Sequence, residues 1–295
     1  MKETFVYNLL LIGGRGIGQV MFQNNALSGL LMLAGIFFHS WQMGVLAISG
    51  NVISTLTAFL SGYGRDEIKN GLYGFNGTLV GIAVGVFMPL TLTALILMVV
   101  ASCVSTWIAR LFKQLYPLPG FTAPFIFAVW ILLGFCKILL PDMLYISDKG
   151  ESICPSIDFF RSFSTGIGQV MFQESIVTGV LFLIAVFINS RSAAVYTILG
   201  ALLPIPVAVL LGVDFESLNA GLMGYNGVLC AIALGDKSWK GFLWASCAVL
   251  LSVILQVVGM NWGIITLTAP FVLSVWLVMS LQKIMRPRSR YTDIG

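Results

Sequence analysis

Charge is what this chain has least of. Only 9% of its 295 residues are Asp, Glu, Lys or Arg, against roughly 25% in soluble domains. It holds one histidine, His39, which excludes a paired-imidazole site and leaves an enzyme without its usual general base. Lying beside Ser40 and Trp41 at the end of an apolar run, His39 reads as an interfacial residue. No H-E-x-x-H, G-x-S-x-G or phosphate-binding loop occurs. The five cysteines follow no metal-ligand spacing. Cys103, Cys136, Cys230 and Cys247 sit in apolar runs and Cys154 in a polar stretch, and buried free thiols behave as small hydrophobes. The sequence therefore calls for no metal, no cofactor and no catalytic centre.

What is abundant is apolar. Residues of that kind make up 58% of the chain and the mean hydropathy is +0.96. Apolar runs lie near 19–38, 43–61, 72–88, 92–109 and 122–140, then near 172–189, 193–211, 222–235, 241–259 and 264–282. Most can cross a hydrocarbon core of about 30 Å at about 1.5 Å per residue; the run at 222–235 is short and is expected to begin in the preceding loop. The stretch after Lys2 has no small-residue cleavage site, so it reads as part of the fold rather than as a signal peptide. Ten spans with the N-terminus inside leave only Lys137, Lys149 and Arg161 of the 16 basic residues outside, as the positive-inside rule requires. The same loops account for the net charge of +4, so no nucleic-acid partner is implied. Both termini are then cytoplasmic, and Arg286, Arg288 and Arg290 form a stop-transfer flank.

The chain is also duplicated. GIGQVMFQ occurs at 16–23 and again at 166–173, GLYGFNGTLVGIAVG at 71–85 answers GLMGYNGVLCAIALG at 221–235, and TAPF recurs at 122–125 and 268–271. The organisation reads as a first five-span repeat at 1–140, an external linker at 141–164, a second repeat at 165–285 and a tail at 286–295. Five spans is an odd number, so the second copy enters the membrane from the opposite face. Inverted-repeat transport proteins place their sites near the midplane between such copies.

Charge is nearly missing from the predicted spans. Glu174, where the first copy has Asn24, is the only acid close to a span interior, and the expected role is an interfacial or capping acid. Ion-coupled transporters keep intramembrane carboxylates or imidazoles for their relays, so the pattern favours passive movement of a neutral solute. Gln19 and Phe22 are three residues apart, as are Gln169 and Phe172, a spacing that shares one helix face. Phe75 with Asn76, and Tyr225 with Asn226, place an aromatic and an amide in the middle of each glycine-rich segment. The glycines are explained by close helix packing. Pro124 and Pro270 interrupt the last apolar run of each half, two residues after Thr122 and Thr268, and are expected to break those helices. Facing copies of these groups would make a flat, aromatic-walled slot with hydrogen-bonding edges, suited to a small, planar, neutral, polar molecule.

LPGFTAPF at 118–125 resembles the L-P-x-x-T-x-P-F signature of the urea transporters of bacterial type. GQVMF with Asn24 and Asn25, and GFNGTLVGI at 74–82, are similar to that family's repeated elements. The resemblance implies an all-α membrane protein of ten transmembrane helices plus two re-entrant half-helices in two inverted five-span repeats. It further implies a homotrimer in the cell inner (plasma) membrane, with one urea pore per subunit. On matching positions it implies aromatic slots at Phe22 with Phe75 and at Phe172 with Tyr225, and an acceptor ladder of Gln19, Thr122, Gln169 and Thr268. Leu79, Val170 and Leu229 would form the apolar walls. Ile264 and Ile265 replace the Leu-Pro of the second signature, which implies a gentler second break, and Tyr225 adds a hydroxyl to its slot. A channel for ammonia, water or another small neutral amide is the alternative; an ion-coupled secondary transporter rests on Glu174 alone.

Overall fold

In an apolar surrounding each backbone N–H and C=O must find its partner within the chain, and helices do so wherever the apolar runs lie. The computed structural model describes residues 2–115, 118–145 and 156–285, with side chains from Asn8 onward. Cys154, Lys149 and the tail at 286–295 lie outside the described residues. In order, the first half holds α1 (Lys2–Gly18), α2 (Ala26–His39), α3 (Trp41–Leu60), α4 (Arg65–Lys69), α5 (Gly74–Phe87), α6 (Leu92–Leu115) and α7 (Ala123–Leu139). The second half holds α8 (Phe159–Gly168), α9 (Ile176–Asn189), α10 (Arg191–Leu202), α11 (Pro204–Leu210), α12 (Phe215–Asn219), α13 (Gly224–Leu234), α14 (Trp239–Asn261) and α15 (Ala269–Met285). No strand occurs among the described residues.

Four stretches are long and apolar enough to cross a membrane: α3, α6, α10 with α11, and α14. Their outward faces carry large hydrophobic side chains such as Leu60, Leu92, Val195 and Leu210, and no core would leave those to water. The protein is membrane-embedded.

The apolar runs read at 19–38 and 172–189 do not begin as helices. The first opens on, and the second directly follows, a single 3-10 turn, Gln19–Met21 or Gln169–Met171, that ends in a left-handed residue, Phe22 at φ 61° or Phe172 at φ 59°. Bulky L-residues rarely adopt that conformation, and here it bends α1 against α2 by 75° and α8 against α9 by 71°. New helices start at once because Asn25 and Ser175 cap them. Asn25 Oδ1 accepts from the N–H of Leu27 at 2.9 Å, and Ser175 Oγ accepts from that of Thr178 at 3.3 Å. Gln19 and Phe22 therefore share a tight turn rather than a helix face.

The prolines also differ from expectation. Pro124 and Pro270 are the second residues of α7 and α15, where proline has no hydrogen bond to lose. The interruption comes before them, at left-handed Phe121 (φ 46°) and Leu267 (φ 49°). These two angles match, so the Ile264–Ile265 replacement does not soften the second turn. The first turns of both helices are sealed from the neighbouring segment, with the Phe125 N–H donating to Asn76 Oδ1 and that of Phe271 to Asn226 Oδ1, each at 3.1 Å. That settles where the two buried amides find partners.

Helices α2 and α9 lie against each other and run antiparallel. Thr178 Oγ1, early in α9, donates to the Gly35 carbonyl, late in α2, at 2.9 Å. At the other end Asn189 Nδ2 donates to Gln23 Oε1 at 2.8 Å, and Asn25 Nδ2 to Asn189 Oδ1 at 3.3 Å. Helices α3 and α5 touch backbone to backbone at Gly50 and Gly77, and Gly200 of α10 meets Gly227 of α13 in the same way.

Candidate functional site

The groups singled out in the sequence lie at or beside four turns, and those carrying Gln19 and Gln169 touch each other. Gln19 Nε2 donates to the Asn70 carbonyl at 3.0 Å, and Gln169 Nε2 to the Ala220 carbonyl at 2.9 Å. A backbone carbonyl can only accept, so the side-chain NH2 must face it, and the orientation of each amide is decided by chemistry. Each Gln is left presenting its oxygen, an acceptor, to whatever stands beyond it.

A cavity of about 300 Å³ is lined by Gln19, Phe22, Phe75, Thr122 and Pro124 among others. Thr122, which lines it, meets Thr268 hydroxyl to hydroxyl at 2.7 Å, although the residues are 146 apart in the chain. Both are almost fully buried, as are Leu79, Val170 and Leu229. The Lys113–Glu67 ion pair also borders the cavity, and Tyr73 donates its hydroxyl to Glu67 Oε2 at 2.7 Å. A second, wider concavity shares Pro119 and Phe121 with the first and is lined by Asp236 and Lys240. There the Ser238 side chain and N–H hold the Asp236 carboxyl below its ordinary range, so it stays charged.

The rings interlock across the halves. Phe22 stands edge-on to Phe121 at 5.9 Å and to Phe271 at 6.1 Å; Phe172 stands edge-on to Phe125 at 6.1 Å and to Phe87 at 6.3 Å. Such offset geometry suits the ring quadrupoles. Each repeated GIGQVMFQ ring thus meets the TAPF ring of the other half. Phe22 and Phe75 both border the 300 Å³ cavity, whereas Phe172, Tyr225, Gln169 and Thr268 border neither described concavity.

Tyr225 is buried and anchored. Its hydroxyl lies 2.7 Å from the Leu267 carbonyl, to which it donates, and within reach of Gln256 and Thr266. Gln256 Oε1 in turn accepts from Thr266 Oγ1 at 2.8 Å and from Asn226 Nδ2 at 3.2 Å. This cluster fastens α13 and α14 to the left-handed turn before Thr268, a role that sequence reading did not give to Gln256 or Thr266. A buried glutamine in an apolar helix was the signal that could have exposed it. Replacing Tyr225 by Phe, the residue type present at position 75, should lower the thermal midpoint through the loss of about 1–3 kcal/mol from a buried carbonyl left unmet. Differential scanning fluorimetry would check that loss.

Glu174 pairs with Arg161 at 3.0 Å in an exposed position. Its counterpart Asn24 donates to Asn70 Oδ1 at 3.2 Å. Among the described residues no cluster of His, Cys, Asp and Glu could hold a metal ion.

The comparisons with known proteins agree with the resemblance carried by the motifs. The urea transporter family model matches residues 10–283. Urea transporter 1 of Rattus norvegicus is 30% identical over 258 residues, covering 79% of this chain and 66% of the rat protein. Urea transporter 1 of Ovis aries is 28% identical over 298 residues, covering 90% of this chain and 75% of the sheep protein. The match thus spans slightly under two thirds of the rat relative's length. The repeats, the signature and the family match over residues 10–283 place this chain in the urea transporter family.

Proposed function

We propose that the protein is a passive channel for urea. The observation that carries this reading is the Thr122–Thr268 hydroxyl contact at 2.7 Å. It joins two half-ladders, one running from Gln19 to Thr122 and the other from Thr268 to Gln169. Two hydroxyls that bond to each other use one proton and keep most of their lone pairs, and both glutamines present oxygen. The line offers acceptors to a solute rich in N–H donors. Urea entering from water gives up hydrogen bonds, each costing roughly 1–3 kcal/mol if unreplaced, and the ladder replaces them edge-on while rings cover its flat faces. The apolar walls at Leu79, Val170 and Leu229 leave an ion no substitute for its hydration.

The paired turns, the two bent helix pairs and the antiparallel α2 and α9 support two inverted repeats of five spans each, at 1–140 and 165–285, joined by a linker at 141–164. The count of ten spans with two re-entrant half-helices uses the bent pairs and the shorter helices α5, α7, α13 and α15 together with the four long stretches. The basic loops support cytoplasmic termini in an inner or plasma membrane, and the family supports a homotrimer with a pore in each subunit.

Purified protein in liposomes should accelerate urea shrink–swell kinetics with no dependence on sodium or proton gradients. Gradient-driven accumulation of urea would overturn the passive mechanism, and faster conduction of ammonia or formamide than of urea would move the assignment to the wider class of small neutral solutes.

A further inference from the structure

The turn that carries Phe172 has a buried acceptor with no donor. Gln173 is 0% exposed, its Nε2 donates to the Met171 carbonyl at 2.6 Å, and its Oε1 is unmet among the described residues. The first half shows what belongs there. Gln23 makes the same bond to the Met21 carbonyl at 2.5 Å, and its Oε1 accepts from Asn189 Nδ2 at 2.8 Å. Asn189 is the last residue of α9; the last residue of α2, 150 positions earlier, is His39.

We propose that His39 donates its Nδ1–H to Gln173 Oε1 and is a positioning residue for the Phe172 turn. Three observations carry this. The end of α2 and the start of α9 are brought together by the Thr178–Gly35 bond at 2.9 Å, one helical turn from His39 and just past Gln173. The reach is right, because Nδ1 of histidine and Nδ2 of asparagine are the same number of bonds from their Cα atoms. The surrounding substitutions also fit. Asn189 offers an oxygen, which Asn25 Nδ2 fills at 3.3 Å; an imidazole offers none at that place, and Asn25 is accordingly replaced by Ser175, which serves only as a helix cap. In the structure described the imidazole is exposed, so the contact forms by a turn of its side chain toward an amide tied so far only through its Nε2 to the Met171 carbonyl.

The consequence lies in the aromatic wall. Gln173 clamps the Met171 carbonyl across a turn whose next-door residue, Phe172, is held left-handed at φ 59°. A donor on Oε1 fixes the Gln173 side chain and, through it, the ring that meets Phe87 and Phe125. Donation needs only an N–H, so neutral imidazole suffices.

The flux arm rests on the urea-channel reading; the spectroscopic arm does not. Because His39 is the only histidine, a 15N spectrum of histidine-labelled protein, taken where the ring is neutral, has a single imidazole to report. The expected result is a predominant Nδ1–H tautomer that is lost on Gln173→Leu. In liposomes, His39→Ala should slow urea flux about three- to tenfold, as expected when a buried acceptor loses its donor, and His39→Asn should restore it because it rebuilds the Asn189 arrangement. A predominant Nε2–H tautomer, an Nδ1–H signal unchanged in Gln173→Leu, or His39→Ala flux equal to wild type would overturn the proposal. If Gln173→Leu does not fold, the His39→Ala and His39→Asn pair decides it. Wild-type protein with no urea flux would refute the channel reading while the tautomer still decides the contact.

Discussion

A Thr122→Val variant of the proposed channel will conduct urea about tenfold more slowly than wild type, since a passing N–H loses one hydrogen bond worth about 1–2 kcal/mol at the threonine pair. Valine has nearly the shape of threonine, so the wall keeps its form and the change isolates the hydroxyl. Thr122 and Thr268 bond to each other at 2.7 Å, which makes the double variant informative. Losing one partner leaves the other hydroxyl buried and unmet, whereas losing both replaces a matched polar pair by a matched apolar one and is close to neutral for stability. Thr122→Val with Thr268→Val should therefore melt no lower than either single variant and yet conduct least of all. Stopped-flow light scattering of urea-loaded vesicles, set beside the thermal midpoint in detergent, measures both. Unchanged flux in the double variant would remove the threonines from the ladder.

A large effect on folding is expected at Gly50. A methyl group there would be driven into the Gly77 carbonyl oxygen and would also press on the Gly81 nitrogen at 3.1 Å. Both are backbone atoms of α5, which no rotamer change can move. Overpacking of this kind costs about 1–3 kcal/mol and occasionally more, and Gly50→Ala should reach the upper end because two whole helices must separate. Gly134, in α7, has nothing within 4 Å of the equivalent point, so Gly134→Ala should be tolerated or slightly stabilising through helix propensity. The comparison of monodisperse yield and thermal midpoint between the two variants checks the argument. Equal behaviour would mean that the α3–α5 contact is looser than the structure has it.

Much of the candidate site was legible because the chain states it twice. Repetition drew notice to Gln19, Phe22, Thr122 and their partners. Local backbone shape was less legible. Periodicity placed Gln19 and Phe22 on one helix face, but a left-handed residue closes a 3-10 turn there, and hydropathy has no term for backbone handedness. Proline was read as the break within a run, whereas the break lies at Phe121 and Leu267, and the proline opens the helix that follows. Gln256 and Phe87 lay outside the repeated motifs, so nothing in the pattern pointed to their contacts with Tyr225 and Phe172.

Composition and order along the chain were enough to determine a helical, membrane-embedded protein of duplicated design, because hydropathy and charge act residue by residue and their sums survive any arrangement in space. Which oxygen meets which hydrogen was decided only by tertiary structure. The Thr122 and Thr268 hydroxyls stand 146 residues apart in the chain and 2.7 Å apart in the fold, and hydrogen bonds fall off over tenths of an ångström, a scale that spacing along a sequence does not carry.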